Sequence, residues 1–400
     1  MNTISAVVLR EGRWCRWSAD HRHRTNALSF VLAAALVSMS AACDGGRGVG
    51  AQPILPAVLE RMVTDKVAPS TDVIEIWICD VPAHTDDPRF GDLPLRLPLD
   101  PVVVTRQIGE RVSAYFDELS HGAYRPTFTA GGTITMATSN TADHCVDTAL
   151  DSSRPTTTTV LAVATAEHVA TEPGGWGRPG SWYDCAADCS ARSTRRAAYV
   201  GASDFSTDWG SVPLLDLIEH EIGHTLGLPH SGIDPDTGDY LSALDVMSNS
   251  AAPRDTDPSK RDAPDTLAIN RVDLGWLPID DVVTIDTGTD LELQPSPGTR
   301  GVRLAVIALD VHRMLTIEFL TPTGFNEHLD HAGIAVHLID DRPGLRELRD
   351  QVPLVGDAPY LDLLRAGDHV EVEGWRIDVT QLDPTQLDPT AHLAVTPANR

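Results

Sequence analysis

The chain has 400 residues, of which 42% are hydrophobic, and a formal net charge of -26 at pH 7. This length is sufficient for two domains with apolar cores, and the hydrophobic content is ordinary for globular proteins. The negative charge excludes nucleic acid as a partner, because it repels phosphate groups and no basic stripe interleaved with aromatic residues offsets it.

The N-terminus has the features of a signal peptide over residues 1–42. Five arginines precede an apolar run over 27–42, which is too short to span a bilayer comfortably. The run ends in Ala41-Ala42-Cys43 before a Gly-rich stretch, which resembles a bacterial lipoprotein signal with Cys43 as the lipidated residue. Simple signal-peptidase cleavage and a retained anchor are the alternatives. The sequence therefore predicts an exported protein, either secreted or held in the cell envelope, that meets a membrane only through a lipid on Cys43.

Four cysteines follow the predicted signal, namely Cys79, Cys145, Cys185 and Cys189. An even number in an exported chain predicts two disulfides, with three possible connectivities. Pairing of Cys185 with Cys189 is one candidate, because both lie in a Gly/Pro-rich region that needs bracing. A second zinc site is the alternative, although the spacing lacks the second matched pair that such sites use.

Residues 43–70 have the composition of a linker, with Gly and Pro and no sustained periodicity. Strand and helix patterns then alternate over 73–78 (strand), 106–119 (helix), 127–136 (strand) and 159–164 (strand). Residues 197–201 are predicted to form the edge strand beside which an extended peptide would lie. This alternation predicts an α/β layer.

The segment from His220 to His230 has the pattern H-E-x-x-H-x-x-G-x-x-H. On a helix, His220 and His224 lie one turn apart on the same face and can reach one metal ion. Glu221 can approach a metal-bound water without ligating the metal. Gly227 can take the left-handed conformation that ends a helix, so that the chain turns back and brings His230 in as third ligand. Three protein ligands leave a fourth position open, which is typical of one catalytic zinc ion.

An apolar stripe on the same predicted helix faces the core, formed by Leu214, Ile218, Ile222 and Leu226. The two helical histidines lie off this stripe and are expected to face a cleft. With its Gly and its third His, the extended pattern resembles the metzincin metallopeptidases. That family has a methionine turn downstream of the zinc ligands, and Met247 lies at the corresponding place.

The resemblance extends over roughly 71–380 and is closest to the gametolysin and immune-inhibitor-A-like families. Segments 112–122, 271–277 and 315–325 carry the weaker part of it. The resemblance implies an α/β zincin-like (metzincin) catalytic domain over 71–277. Astacin-like and serralysin-like members have a Tyr two residues after the methionine, where this chain has Asn249, so this Tyr's role is unfilled here or belongs to another residue.

Residues 278–400 contain short β-type runs separated by turns, which predict a smaller all-β sandwich domain. Between His230 and Met247, the carboxylates of 234–239 are either ordinary turn residues or a Ca²⁺ site, because their spacing does not match an EF-hand loop. The predicted protein is a monomer.

The function predicted from the sequence is zinc-dependent endopeptidase activity on extracellular or envelope proteins, with Glu221 as general base. An envelope-binding lipoprotein that keeps a metzincin frame without cleaving is one alternative. A zinc hydrolase of a non-peptide amide or ester bond is another, as is an adhesin-like protein that acts through its β-domain. The peptide specificity and any activation step are not encoded in a recognisable pattern.

Overall fold

The computed structural model describes residues 56–64, 71–82, 96–166, 174–179, 195–232, 240–341, 348–351, 363–385 and 387–398, all within one unit, Leu55–Arg400. Its helices are α1 (Ala57–Thr64), α2 (Pro101–Leu119), α3 (Ala142–Ser152), α4 (Asp216–Thr225), α5 (Ala252–Thr256) and α6 (Ala268–Asp273). Its first strands are β1 (Thr71–Asp80), β2 (Arg125–Thr135), β3 (Thr159–Ala164), β4 (Gly175–Arg178), β5 (Arg196–Val200), β6 (Val282–Ile285) and β7 (Thr289–Leu293). The remaining strands are β8 (Leu304–Ala308), β9 (Arg313–Leu320), β10 (Gly333–Asp340), β11 (Leu348–Gln351), β12 (His369–Val372), β13 (Trp375–Asp383) and β14 (Thr390–Pro397). None of the described helices is long and apolar enough to cross a membrane.

The first sheet has the strand order β2-β1-β3-β5-β4 and is parallel except for β4, which runs antiparallel to β5. A parallel pair needs a long crossover, and α2 supplies it between β1 and β2. Helix α2 begins at Pro101, earlier than the predicted residue 106. Asp100 caps the helix by accepting hydrogen bonds from the backbone N–H groups of Val102 and Val103, and proline is well suited to the first helical position.

Strand β1 divides its side chains between two cores, because alternate residues of a strand point to opposite faces. Ile74, Ile76 and Ile78 pack into the core that contains α2 and α4. Trp77 and Cys79 pack into the core that contains α3. The sheet is therefore covered on both faces, which agrees with the predicted α/β layer.

The predicted edge strand at 197–201 is wrong. Strand β5 lies between β3 and β4, with all of its residues buried, and the edge of the sheet is β4. A strand that is apolar along its whole length, as Ala197–Val200 is, is typical of an internal position. Strand β4 carries two glycines, which weaken the sequence signal for a strand.

Two further sheets lie in the C-terminal part, with the orders β11-β10-β9-β8-β6 and β12-β13-β14-β7. Their pairs are antiparallel except for β6 with β8. One apolar core joins them and includes Leu293, Ile317, Phe319, Ile377 and Leu393. The division of the chain at 277/278 stays a prediction.

A further apolar cluster draws on both sides of residue 277, and we call it the shared core: Val58, Leu59, Met62, Leu244, Leu267, Ala268, Ile269, Val272, Leu277, Leu304, Val306, Met314, Leu320, Leu329, Ala335, Ile339 and Leu363. Helix α1 lies within the predicted linker 43–70, which is therefore corrected over Ala57–Thr64. Val58, Leu59 and Met62 form its buried face at helical spacing, but two turns are too short for periodicity to show in the sequence.

Glu318 on β9 is buried and accepts a hydrogen bond from the Ala268 backbone N–H of α6 at 3.1 Å. Burial raises its pKa from 4.5 to about 7. Between these values the folded chain holds a proton that the unfolded chain has released, so stability contributed by this group falls as pH rises from 4.5 towards 7. We expect Glu318→Gln to remove this decline and to be more stable than wild type at pH 8, by on the order of 3 kcal/mol. Urea unfolding of both proteins between pH 5 and 8 tests it, and parallel pH profiles would contradict it.

Candidate metal centre

The centre begins on α4, which buries one face and turns two histidines away from it. The predicted stripe is confirmed for Ile218, Ile222 and Leu226, which are buried in one core cluster, whereas Leu214 is buried but precedes the helix, which begins at Asp216. His220 and His224 lie one turn apart on another face of the helix, and His224 is less buried than His220.

The turn after α4 brings the third histidine back to the helix. Gly227 has a φ of 97°, in the left-handed region that glycine enters without steric cost, as predicted. The reversal at Gly227 places the Leu228 carbonyl oxygen 2.8 Å from Nδ1 of His224. His230 then reaches the helix, and its ring centroid lies 4.3 Å from that of His224.

The three imidazoles direct their Nε2 atoms at one point. The Nε2 atom of His224 lies 3.1 Å from that of His220 and 2.8 Å from that of His230. Nδ1 of His220 lies 2.7 Å from the Val246 carbonyl oxygen, and a carbonyl can only accept, so Nδ1 carries the proton. The same argument applies to Nδ1 of His224. Both residues therefore present Nε2 lone pairs to the same small space.

Burial, and then the proximity of His230, lower the pKa of His220 to about 3, against a smaller opposing effect of the Val246 carbonyl. His220 is thus neutral at physiological pH, as a metal ligand must be.

This donor set fits zinc. A tetrahedral zinc with Zn–N distances of about 2.0–2.1 Å separates its ligand nitrogens by about 3.3 Å, a few tenths of an ångström more than the distances found here. Lone pairs facing each other at this distance repel, and a cation between them removes the repulsion. Hydrogen bonds from Nδ1 to backbone carbonyls are the usual outer partners of zinc-binding histidines. Among the described residues, His220, His224 and His230 form the one cluster with ligand atoms placed for a metal ion.

Glu221 lies beside the triad and is 3% exposed. Its Oε2 atom is buried without a hydrogen-bond partner among the described residues. Burial raises the pKa of this carboxyl well above its usual value. A carboxyl in this state binds a proton more readily than an exposed one, which suits a group that takes a proton and later releases it.

Met247 packs against α4. It is fully buried, and a Cβ added at Gly223 would meet its Sδ atom at 2.4 Å. The methionine thus supports α4 at the one helical position that has no side chain.

Asp245 connects the ligand loop to the methionine turn, and the sequence analysis missed it. Its carboxylate accepts hydrogen bonds from Ser231 Oγ at 2.6 Å, from Asn270 Nδ2 at 3.0 Å and from the Met247 backbone N–H at 3.2 Å. A buried carboxylate with this many donors fixes the position of Ser231 relative to Met247. Two of these partners, Ser231 and Asn270, lie 14 and 25 residues away in sequence, so no local pattern indicated the whole set.

Strand β4 lies against α4, and at Gly175 and Gly177 it places no side chain between the two elements. A Cβ at Gly177 would lie 2.2 Å from the Glu221 backbone oxygen and 2.7 Å from the His224 Cβ, and one at Gly175 would lie 2.7 Å from Glu221 Oε1. Alternate glycines therefore allow the edge strand to approach Glu221 and His224 directly. The pairing of G-x-G with this helix was another feature that the sequence analysis missed.

We expect Gly177→Ala to lower the free energy of unfolding by about 1–3 kcal/mol and to reduce zinc affinity, because the new methyl group must push β4 away from α4. Gly288→Ala is the matched control, since its Cβ would meet its neighbours at an ordinary 3.6 Å. Denaturant unfolding and zinc titration of both variants measure the difference, and equal behaviour of the two would contradict the close approach.

Tyr240 is a further residue at the centre that the sequence analysis did not single out. Its hydroxyl lies 3.2 Å from Nε2 of His230, and its ring centroid lies 4.7 Å from that of the same imidazole. Partial burial, and then the proximity of Glu221, raise its pKa. Asn249, in contrast, directs its side chain to Asp255 at 3.4 Å.

The remaining predicted site residues are the cysteines and the acidic segment 234–239. Cys79 on β1 and Cys145 on α3 form a disulfide, which is one of the predicted pairings. Cys43, Cys185, Cys189 and the acidic segment 234–239 lie outside the described residues.

Comparisons with known proteins add no family. No family model matches the chain, and no curated protein matches it. A solved structure described as "Structure of a chaperone-substrate complex" is similar at 14% identity, over 52% of this chain and 35% of that chain, with a TM-score of 0.26. The chain thus spans about a third of the length of that neighbour, and a similarity this weak carries no argument about fold or function.

Proposed function

We propose that this protein is a zinc-dependent endopeptidase with a zincin-like catalytic region over 71–277. The observation that supports it best is the convergence of three Nε2 atoms beside the buried Glu221 carboxyl, whose Oε2 atom has no hydrogen-bond partner among the described residues. Two of the three imidazoles donate their Nδ1 protons to backbone carbonyls. The likeness of the H-E-x-x-H-x-x-G-x-x-H segment to the metzincins is the second support.

His220, His224 and His230 would hold the ion. Zinc bound there supplies a Lewis acid and lowers the pKa of a coordinated water molecule. Glu221 takes a proton from the attacking water on its carboxylate and delivers it to the leaving amine. The buried position of the carboxyl keeps bulk water from competing for that proton.

The edge strand β4 supports a peptide as the substrate class. Among the described strands, β4 pairs with β5 alone and on one side, so its other side would offer backbone N–H and C=O groups to an extended chain. Glycines place this strand next to Glu221, so a peptide paired with it would pass close to the base. Together with the signal-like N-terminus, this favours extracellular or envelope proteins as substrates.

The test is made on the purified full chain, with its zinc content measured, using an unfolded protein as substrate. We expect one zinc per chain and cleavage that a chelator stops and added zinc restores. A folded protein that binds no zinc would overturn the proposal. Bound zinc without cleavage of any unfolded protein would contradict the peptidase activity and favour a binding role, or hydrolysis of a non-peptide bond, which a panel of amides and esters would reveal.

A further inference from the structure

Tyr240 places a phenol hydroxyl at the mouth of the centre. The hydroxyl lies 3.2 Å from Nε2 and 3.5 Å from Nδ1 of His230. Its ring packs on His230 at 4.7 Å and faces the edge of His220 at 6.1 Å. The residue is nevertheless 42% exposed, so a ligand can reach the same hydroxyl from solvent.

Backbone hydrogen bonds hold the segment that carries Tyr240. The Leu241 N–H donates to the Gly232 carbonyl oxygen at 3.0 Å, which brings the two ends of 232–241 together. The Ser231 N–H donates to the Met247 carbonyl oxygen at 3.0 Å, and the Asn249 N–H to that of Ser242 at 3.1 Å. Leu241 and Ser242, the two residues after Tyr240, are therefore held to Gly232 and to Asn249, which keeps Tyr240 beside the triad.

His220, His224 and Glu221 supply no hydrogen-bond donor to the space that their Nε2 atoms and carboxylate face. Nδ1 protons of His220 and His224 are already donated to backbone carbonyls, and their Nε2 atoms present lone pairs. Glu221 accepts a proton in the proposed reaction. When water attacks a peptide carbonyl, its oxygen becomes negative and needs a donor at about 3 Å. The Tyr240 hydroxyl is a donor at this place.

We propose that Tyr240 is a catalytic residue whose hydroxyl donates a hydrogen bond to the carbonyl oxygen of the scissile peptide as that oxygen becomes an oxyanion. The inference rests on the proposed endopeptidase function and adds to it the group that stabilises the transition state. The hydroxyl keeps its proton throughout, so the step changes no covalent bond of the tyrosine. A hydrogen bond that strengthens only in the transition state raises kcat more than it lowers KM.

The test compares Tyr240→Phe with wild type in the full chain. The variant keeps the ring that packs on His230 and loses only the hydroxyl. We expect kcat to fall by about 10²–10³-fold with KM changed little, the loss typical of one missing oxyanion donor. Zinc content and the rate of zinc release to a chelator should be unchanged. Tyr115→Phe is the matched control, because its hydroxyl donates to the Pro264 carbonyl oxygen away from the triad.

A measurement without turnover separates this role from a structural one. A phosphinic peptide with the sequence of a site that wild type cleaves carries a tetrahedral anionic group in place of the scissile amide. We expect Tyr240→Phe to bind it more weakly by the same factor by which kcat falls, measured by calorimetry. If wild type cleaves and Tyr240→Phe has the same kcat and the same inhibitor affinity, the role of Tyr240 is overturned while the endopeptidase function stands. Loss of zinc from the variant would also overturn that role. Absence of cleavage by wild type would instead overturn the endopeptidase function, and this inference with it.

Discussion

Glu221→Gln is expected to lower kcat by about 10³–10⁴-fold while one zinc stays bound per chain. The amide has the shape of the carboxylate and can occupy the same buried space beside Gly175, but it cannot accept a proton at neutral pH. General acid–base catalysis by a positioned group contributes about 10²–10⁴-fold, and Glu221 would serve in both directions, so the upper part of this range applies. The three imidazoles are unchanged, so metal binding should be unchanged.

Glu219→Gln is the matched control for this experiment. Glu219 lies on the same helix, is fully buried and has its pKa raised by burial, but its Oε2 atom accepts the Ala263 N–H at 2.7 Å, away from the triad. The amide oxygen of glutamine can still accept that bond. Zinc content and steady-state kinetics of both variants decide the matter. Near-normal turnover by Glu221→Gln, or an equal loss in Glu219→Gln, would show that the assigned base is wrong.

Removal of the Cys79–Cys145 disulfide is expected to cost about 4 kcal/mol of the free energy of unfolding. The bond spans a sequence separation of 66 residues, and closure of a loop of that size in the unfolded chain has about this value. It joins β1 to α3 on the face of the sheet opposite α4. We therefore expect the double variant Cys79→Ala with Cys145→Ala to lose stability without losing zinc affinity.

Guanidinium unfolding under non-reducing conditions measures this difference. Wild type treated with a reductant should approach the double variant, because both then lack the cross-link. Alanine is preferred to serine, since both cysteines are fully buried and a hydroxyl there would need a partner. A difference below about 1 kcal/mol would contradict a cross-link that restricts the unfolded chain.

The triad could be predicted from sequence because its geometry is local. One helical turn separates His220 from His224. His230 follows His224 by six residues, and the positive φ of Gly227 reverses the chain so that His230 returns to the helix. The buried stripe of Ile218, Ile222 and Leu226 was predictable for the same reason, since helical periodicity is visible within a short window.

The rest of the centre depends on contacts between distant segments. Asp245 finds Asn270 and Ser231 through the fold, and Tyr240 reaches His230 through backbone pairing of two turns. The edge strand was misplaced because Gly175 and Gly177, which suit close approach to α4, suppress the strand signal. Helix α1 was missed because its stability comes from packing in the shared core and not from its own length.

The shared core also has a consequence for exchange of segments between proteins. Strands β8 to β10 pack against α6 in the shared core. Asn270 of α6 donates a hydrogen bond to Asp245, whose carboxylate also accepts one from Ser231, the residue after His230. The sheet that contains β8 to β10 is thus connected to the residue after His230 through α6 and Asp245. An unrelated sandwich grafted after Leu277 would leave apolar side chains of α1 and α6 exposed to water. Recombination at this point should therefore disturb the arrangement of His220, His224 and His230 as well as replace the C-terminal part.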